Sequence, residues 1–359
     1  MSEHAGMPVY FVVPDSIDDP ERVSGGNLYD RRVRDGLRER GWAVQMLPIS
    51  DAGETPVART ISELPDGALT LIDGLLAVRE SDALAAHSNR LRIVVLAHMV
   101  ASATMETTNG SRGSIVDRER ESLRAAKRII ATSSWTRAEL ISRDLAEPDN
   151  VVVATPGTEP AAKTVASRTG GRLLCVGVVA PHKGQDLLVR ALRQLTEIDG
   201  WTCTFAGSVN AAPGFARELA QTIRVSKLAT RTTFTGVLDR SRLDDAYNQA
   251  DLVVVPSRNE SFGMVVAEAL ARGIPVLATR VGGIPEAICG SPASILVPPE
   301  DPWALEVVLR QWLADPERRT ELRTAAAEAR EMVRPWAATV TVIASTLAEV
   351  ALSATAVSA

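Results

Sequence analysis

The chain has 359 residues, 45% of them apolar, and 39 Lys and Arg against 44 Asp and Glu, for a formal net charge of −5. That length outgrows one hydrophobic core and suits two domains. Divided near residue 165, the first part carries the whole −5 and the remainder balances, so neither half has the basic excess of a nucleic-acid binder. Cys175, Cys203 and Cys289 are isolated, lie mostly in apolar runs and offer no metal-ligand spacing. They read as small buried hydrophobes in a reducing, cytoplasmic compartment. Pro14 and Asp15 stop the first apolar run, so no signal peptide is expected, and no segment reads as long enough to span a membrane.

In chain order, Val9 to Val13 predicts a strand. Ser24-Gly25-Gly26-Asn27 then reads as a turn feeding a helix with Leu28, Val33 and Leu37 on one side. Gly41 ends that helix and Trp42 to Ile49 predicts the next strand, a strand–helix–strand unit. The glycine pair is not the GxGxxG of dinucleotide binders, yet two glycines before a helix permit close approach of a ligand to the backbone. Leu69 to Ile72 and Leu91 to Ala97 are further apolar strands, and the second delivers His98 at its carboxyl end. A histidine there suits ligand binding and equally suits a structural hydrogen bond, and both readings stay open. Ser114 to Arg128 predicts a charged helix whose Arg118, Arg120, Arg124, Lys127 and Arg128 alternate with acids. That is a solvated face and gives no support to membrane contact. Ile129 to Thr132 and Val151 to Ala154 complete the strands of the first half.

Ala161 to Gly171 lacks large apolar residues and reads as the linker. Beyond it, Leu173 to Val179 predicts a strand, then a turn carrying His182 and Lys183, then a helix from Leu187 to Leu195. A lysine at a helix N-terminus opposes the dipole by a few tenths to about 1 kcal/mol unless an anion sits there, which makes Lys183 a candidate phosphate contact. Trp201 to Gly207 and Arg231 to Thr235 are strands, and Asp244 to Ala250 is a short helix. Helices are expected over Pro302 to Ala314 and from Glu317 to about Met332. Pro335 breaks the second, and a last apolar-periodic segment with Val340, Ile343, Leu347 and Val350 follows.

The most informative stretch is Pro256 to Glu286. The apolar run Leu252 to Val255 precedes it, and Gly273 and Pro275 end the periodic segment within it. Strand, turn, helix, strand is the expected order, with the helix over Phe262 to Arg272. Glu260 and Glu268 would then stand roughly 12 Å apart along the axis, too far to share a proton or one metal ion. They suit the two ends of one extended ligand. Between them the amides of Phe262, Gly263 and Met264 would lack intrahelical acceptors and face an anion. Taken singly, Glu260 is as well explained as a cap and Glu268 as a solvated residue.

These residues resemble the family-4 retaining glycosyltransferases. ESFGMVVAE followed by EALARGIPVLATRVGGIPE carries the resemblance, CVGVVAPHKGQDLLVRAL and ADLVVVPS support it in order, and the SGGN loop, the His98 strand end and ATPGTEP fit more loosely. The resemblance implies an α/β chain of GT-B fold, in which two Rossmann-like domains face each other across a cleft and the C-terminal helix crosses back to the N-domain. The implied domains are residues 1–163 with 337–359, and residues 164–336. It also implies a nucleotide diphosphate-sugar donor, used as substrate with no separate cofactor and no metal, and an acceptor whose identity is not implied. Glu268 would hold the ribose and Glu260 the donor sugar. Phe262, Gly263 and Met264 would hold the distal phosphate and sugar by their amides, and Lys183 would neutralise the leaving diphosphate. Gly25 and Gly26 would close on that diphosphate, and His98 would contact the donor sugar.

One departure stands out. Many relatives carry an arginine after the glycine of the second domain's first strand, where this chain has Val178 after Gly177. The diphosphate would then depend on Lys183, amides, and another cation such as Arg258 or a protonated His182. No carboxylate pair suits a double displacement, so retention with front-face attack is expected from the resemblance. Two rivals follow: a sugar phosphorylase of the same fold, and a non-catalytic nucleotide-sugar-binding protein.

Overall fold

A computed structural model of the chain describes residues 8–50, 57–104 and 112–353. The chain divides into two compact units, one of residues 1–157 with 336–359, the other of residues 158–335. The first unit holds a parallel sheet of β1 (Pro8–Pro14), β2 (Ala43–Ile49), β3 (Leu69–Asp73), β4 (Arg92–Ala97), β5 (Arg128–Ala131) and β6 (Val151–Val153), in the order β2-β1-β3-β4-β5-β6. The second holds β7 (Arg172–Val176), β8 (Thr202–Ala206), β9 (Thr232–Gly236), β10 (Leu252–Val255), β11 (Val276–Thr279) and β12 (Ser294–Val297), in the order β12-β11-β10-β7-β8-β9. Every pairing is parallel. That explains the near-continuous apolar strands, which are covered by helices on both faces: β3 and β10 are buried along their whole length.

Strand order fixes where a ligand fits. In the first sheet the direction of winding reverses between β1 and β3, and in the second between β7 and β10. The loops leaving the carboxyl ends of such a pair splay apart and leave a crevice. Ser24-Gly25-Gly26 follows β1, Lys183 follows β7 and Glu260 follows β10, so each lies beside a reversal.

The last helix, Trp336–Leu352, belongs to the first unit. It buries Val340, Ile343, Leu347 and Val350 and packs on the helix Gly25–Glu39 and on β3, β4 and β5. A Cβ on Gly36 would come within 2.6 Å of Val340, so that crossing is close. The run Pro316–Leu352 is apolar enough to pass a length-and-composition test for a membrane span, with mean hydropathy 1.4 in its best window. That corrects the expectation that no segment qualifies. The run is broken, however: the helix Pro316–Ala329 and a single turn to Met332 end in residues 333–335, which are not helical.

Other boundaries moved. The charged helix spans Arg112–Arg124, and Arg128 begins β5 instead of ending the helix, because the apolar run Ile129 to Ala131 recruits it to the sheet. Several helices had no counterpart in the sequence reading, among them Ser134–Ser142 and Pro213–Val225. The first is capped by Ser133 and the second starts on Pro213, and both signals are present in the sequence.

Candidate active site

In the second unit the loop after β7 makes one tight turn, Pro181–Lys183, before the helix Gln185–Leu192. Gly184 joins them at φ +66°, and a Cβ there would lie 2.0 Å from the Pro256 carbonyl oxygen. No other residue fits this junction, which presses the Lys183 turn against the end of β10. Lys183 Nζ then donates to Glu260 Oε1 at 2.6 Å, and Ser257 Oγ donates to the same oxygen at 2.9 Å. Both charged side chains are largely buried, at 22% and 13% exposure. The Glu260 carbonyl accepts from the Gly283 amide, which fixes the loop on its other side.

The helix that follows begins later than expected. It spans Met264–Ala271, and Gly263 caps it in the left-handed region at φ 98°, ψ 54°. Phe262 therefore lies in the turn before the helix, and its amide is not part of the first helical turn. The helical rise applies only from Met264 to Glu268, roughly 6 Å, and residues 260–263 span the rest as a turn. Glu268 sits one turn into the helix. Tyr247 OH donates to its Oε2 at 2.7 Å, and Arg272, whose guanidinium lies 4.4 Å over the Tyr247 ring, donates to the Glu268 carbonyl. Burial pushes the Glu268 carboxyl above its usual range, with the Tyr247 hydrogen bond and the Arg272 charge pulling the other way. Tyr247 was missed because Asp244 to Ala250 reads only as a helix; the tyrosine points inward from Arg240–Asn248 and is fully buried.

Two substitutes for the missing arginine were expected, Arg258 and a protonated His182. Arg258 is engaged by both Asp186 oxygens, at 2.7 and 2.8 Å, and by Glu300, so it fastens three loops together. His182 is held below its ordinary pKa by burial and by Lys183, against a smaller upward pull from Glu260, so it is neutral near pH 7. Val178 contributes its carbonyl, which accepts from Gln185 Nε2 at 2.8 Å. Lys183 is thus the cation that adjoins Glu260.

In the first unit Gly25 and Gly26 are the first two residues of the helix Gly25–Glu39, not a turn ahead of it. Ser24 caps this helix by accepting from the Asn27 amide. Gly25 and Gly26 amides thereby fall in a first turn that has no intrahelical acceptors. His98, at the end of β4, is buried to 9% exposure and contacts two carboxylates, Asp30 and Asp73. Neither was visible in the sequence as a partner, since 68 residues separate Asp30 from His98. Among the cysteines, Cys175 and Cys203 are buried as expected, but Cys289 is exposed because it ends the short helix Ile284–Ile288 in the left-handed region. The small, polar stretch 99–113 lies partly outside the described residues.

The family model of glycosyl transferases group 1 matches residues 160–329. A D-inositol 3-phosphate glycosyltransferase of Kineococcus radiotolerans is 34% identical over 247 residues, which cover 62% of this chain and 57% of that protein. One from Corynebacterium aurimucosum is 32% identical over 233 residues, covering 59% and 54%. The chain thus spans a little over half the length of the curated relatives it matches. Among solved structures, a sucrose-phosphate synthase from Thermosynechococcus elongatus superposes with a TM-score of 0.78 at 21% identity, covering 96% of this chain and 98% of that one. HepE from Anabaena in complex with UDP-glucose gives 0.76 at 17% identity, covering 96% and 100%. At such identities the likeness speaks for the fold, two parallel six-stranded Rossmann-like sheets of the GT-B type. Over residues 160–329, a little under half of its length, the chain is similar to the glycosyl transferases group 1.

Proposed function

We propose that the protein transfers a sugar from a nucleoside diphosphate sugar to an acceptor hydroxyl, with retention of anomeric configuration. The observation that carries this reading is the Lys183–Glu260 pair beside the β7/β10 reversal, with Glu268 one turn into the adjoining helix. A donor diphosphate would take Lys183 from Glu260 and free that carboxylate to accept hydrogen bonds from sugar hydroxyls. The amides at Gly263 and Met264 add the positive end of the helix. Glu268, with one oxygen occupied by Tyr247, offers the other to the ribose. Gly25, Gly26 and His98 are the first unit's own candidate ligand contacts, at the carboxyl edge of its sheet. The C1–O bond to the diphosphate breaks as the acceptor oxygen attacks from the same face, and the leaving phosphate oxygen takes the acceptor proton. The names of the curated relatives support glycosyl transfer, and the UDP-glucose bound to HepE supports a nucleotide-sugar donor. The unpaired cysteines support a reducing, cytoplasmic setting.

A panel of nucleotide sugars, UDP-glucose first, scored by thermal shift and by nucleotide release, tests the reading. Stabilisation with release is the expected result. Stabilisation without release would point to a non-catalytic binding protein. Full activity of Glu268→Ala, with phosphate and a disaccharide as substrates, would point to a phosphorylase. If no nucleotide sugar at millimolar concentration raises the melting temperature, the proposal is wrong.

A further inference from the structure

Helix Gly25–Glu39, the end of β3 and the end of β4 bring Asp30, Asp73 and His98 together at the carboxyl edge of the first sheet. His98 Nε2 lies 2.9 Å from Asp30 Oδ1 and 3.5 Å from Asp73 Oδ2. Asp73 Oδ1 is occupied, accepting from the amides of Leu75 and Leu76 as the cap of the helix Gly74–Arg79. Asp30 Oδ2 is buried and has no hydrogen-bond partner. Tyr29 meets the ring edge-on at 5.3 Å, and Thr132 Oγ1 donates to the main-chain carbonyl of His98. One ring nitrogen thus faces two buried carboxylates. The other, Nδ1, has no partner among the described residues and is not sealed from solvent.

We propose that Asp30, backed by Asp73, is a positioning residue that keeps His98 an imidazolium and turns its Nδ1–H outward as a fixed donor to the sugar diphosphate. The donor role rests on the sugar-transfer reading; the charge state does not. A neutral ring donating from Nε2 to Asp30 would leave Nδ1 a bare acceptor, and only the cation donates from both nitrogens. Two carboxylates in so small a buried volume also need a cation between them. Burial pulls the imidazole pKa down, but the charge and hydrogen bond of Asp30, with the charge of Asp73, outweigh it and raise it to about 9. Burial pushes Asp73 up to about 6, with His98 drawing it down and Asp30 pushing it further up. Near pH 7 His98 is therefore already protonated and cannot act as a general base. That agrees with a route in which the leaving phosphate takes the acceptor proton.

The test is a ring-nitrogen NMR titration of the full chain, with His98 assigned through His98→Gln, followed by pH–rate profiles. Wild-type His98 is expected to titrate near pH 9, and in Asp30→Asn roughly two pH units lower. In Asp30→Asn kcat is expected to fall about tenfold for each pH unit above the new pKa while the acceptor KM holds, and wild-type kcat stays level to about pH 8.5. Asp30→Glu, which keeps the charge, restores the wild-type profile. Titration of wild-type His98 at or below the ordinary imidazole value overturns the proposal, and this reading needs no turnover. An unshifted pH–rate profile in a folded, active Asp30→Asn overturns it as well. Absence of any nucleotide release by the wild type defeats the sugar-transfer reading instead, and the titration still decides the charge.

Discussion

The polar clusters of the two units are built on the same principle, loops leaving parallel strands beside a reversal of winding, yet they store charge differently. In the second unit a single ion pair, Lys183–Glu260, holds opposite charges that, on the proposed function, an entering diphosphate would separate. In the first unit His98 stands between two carboxylates, and a ligand has only Nδ1 to address. On the proposed function the first arrangement opens when a donor binds and the second stays closed. Charges that a substrate must capture are kept in pairs it can compete for, whereas charges that must face it in one direction are locked from behind.

The sharpest way to break this contrast is Lys183→Ala. If the pair neutralises the diphosphate in the transition state, kcat for nucleotide release falls about 100- to 1,000-fold, the range for loss of one preorganised charge-stabilising donor. A loss below about fivefold in steady-state assays would make Lys183 a structural partner of Glu260 and erase the difference between the units. The next largest effect is on stability against pH. The folded-state pKa of His98, about 9, exceeds its unfolded value of 6.5. Its contribution is therefore full below pH 6.5 and is lost as pH rises through 9, with an upper bound of about 3 kcal/mol. Asp73, raised to about 6 from 3.8, lowers stability as pH climbs through that lower window. Urea unfolding followed from pH 6 to 10 should show the higher decline in wild type and not in His98→Gln. A decline of equal size in both would show that the triad is not locked. The smallest effect sharpens the comparison within the second unit. Tyr247→Phe removes one hydrogen bond from Glu268 and should weaken nucleotide binding by roughly three- to tenfold, about 1 kcal/mol, as read by calorimetry. Unchanged affinity would mean that Glu268 needs no orienting partner.

The same contrast explains what was legible in the sequence. Glu260, Gly263 and Glu268 lie in one continuous stretch, and Lys183 sits at the matching point after the domain's first strand, so linear spacing was enough to assemble them. The apolar runs gave the strands for the same reason, since a buried parallel strand leaves an uninterrupted hydrophobic signature. Three things were not legible. The start of the helix at Met264 depends on Gly263 adopting φ 98°, a tertiary choice that glycine permits but does not announce. The partners of His98 come from residues 30 and 73, joined only by the sheet order. Arg258 looked like a free cation because Asp186 and Glu300, which claim it, approach from different loops.

The last helix carries a consequence for synthesis. Trp336–Leu352 is made after every residue of the second unit, yet its apolar face completes the interior of the first. The second unit is one unbroken segment and emerges whole, while the first waits with the faces of Gly36 and of β3 to β5 uncovered. The first unit therefore cannot complete its interior until residues 336–352 have been made.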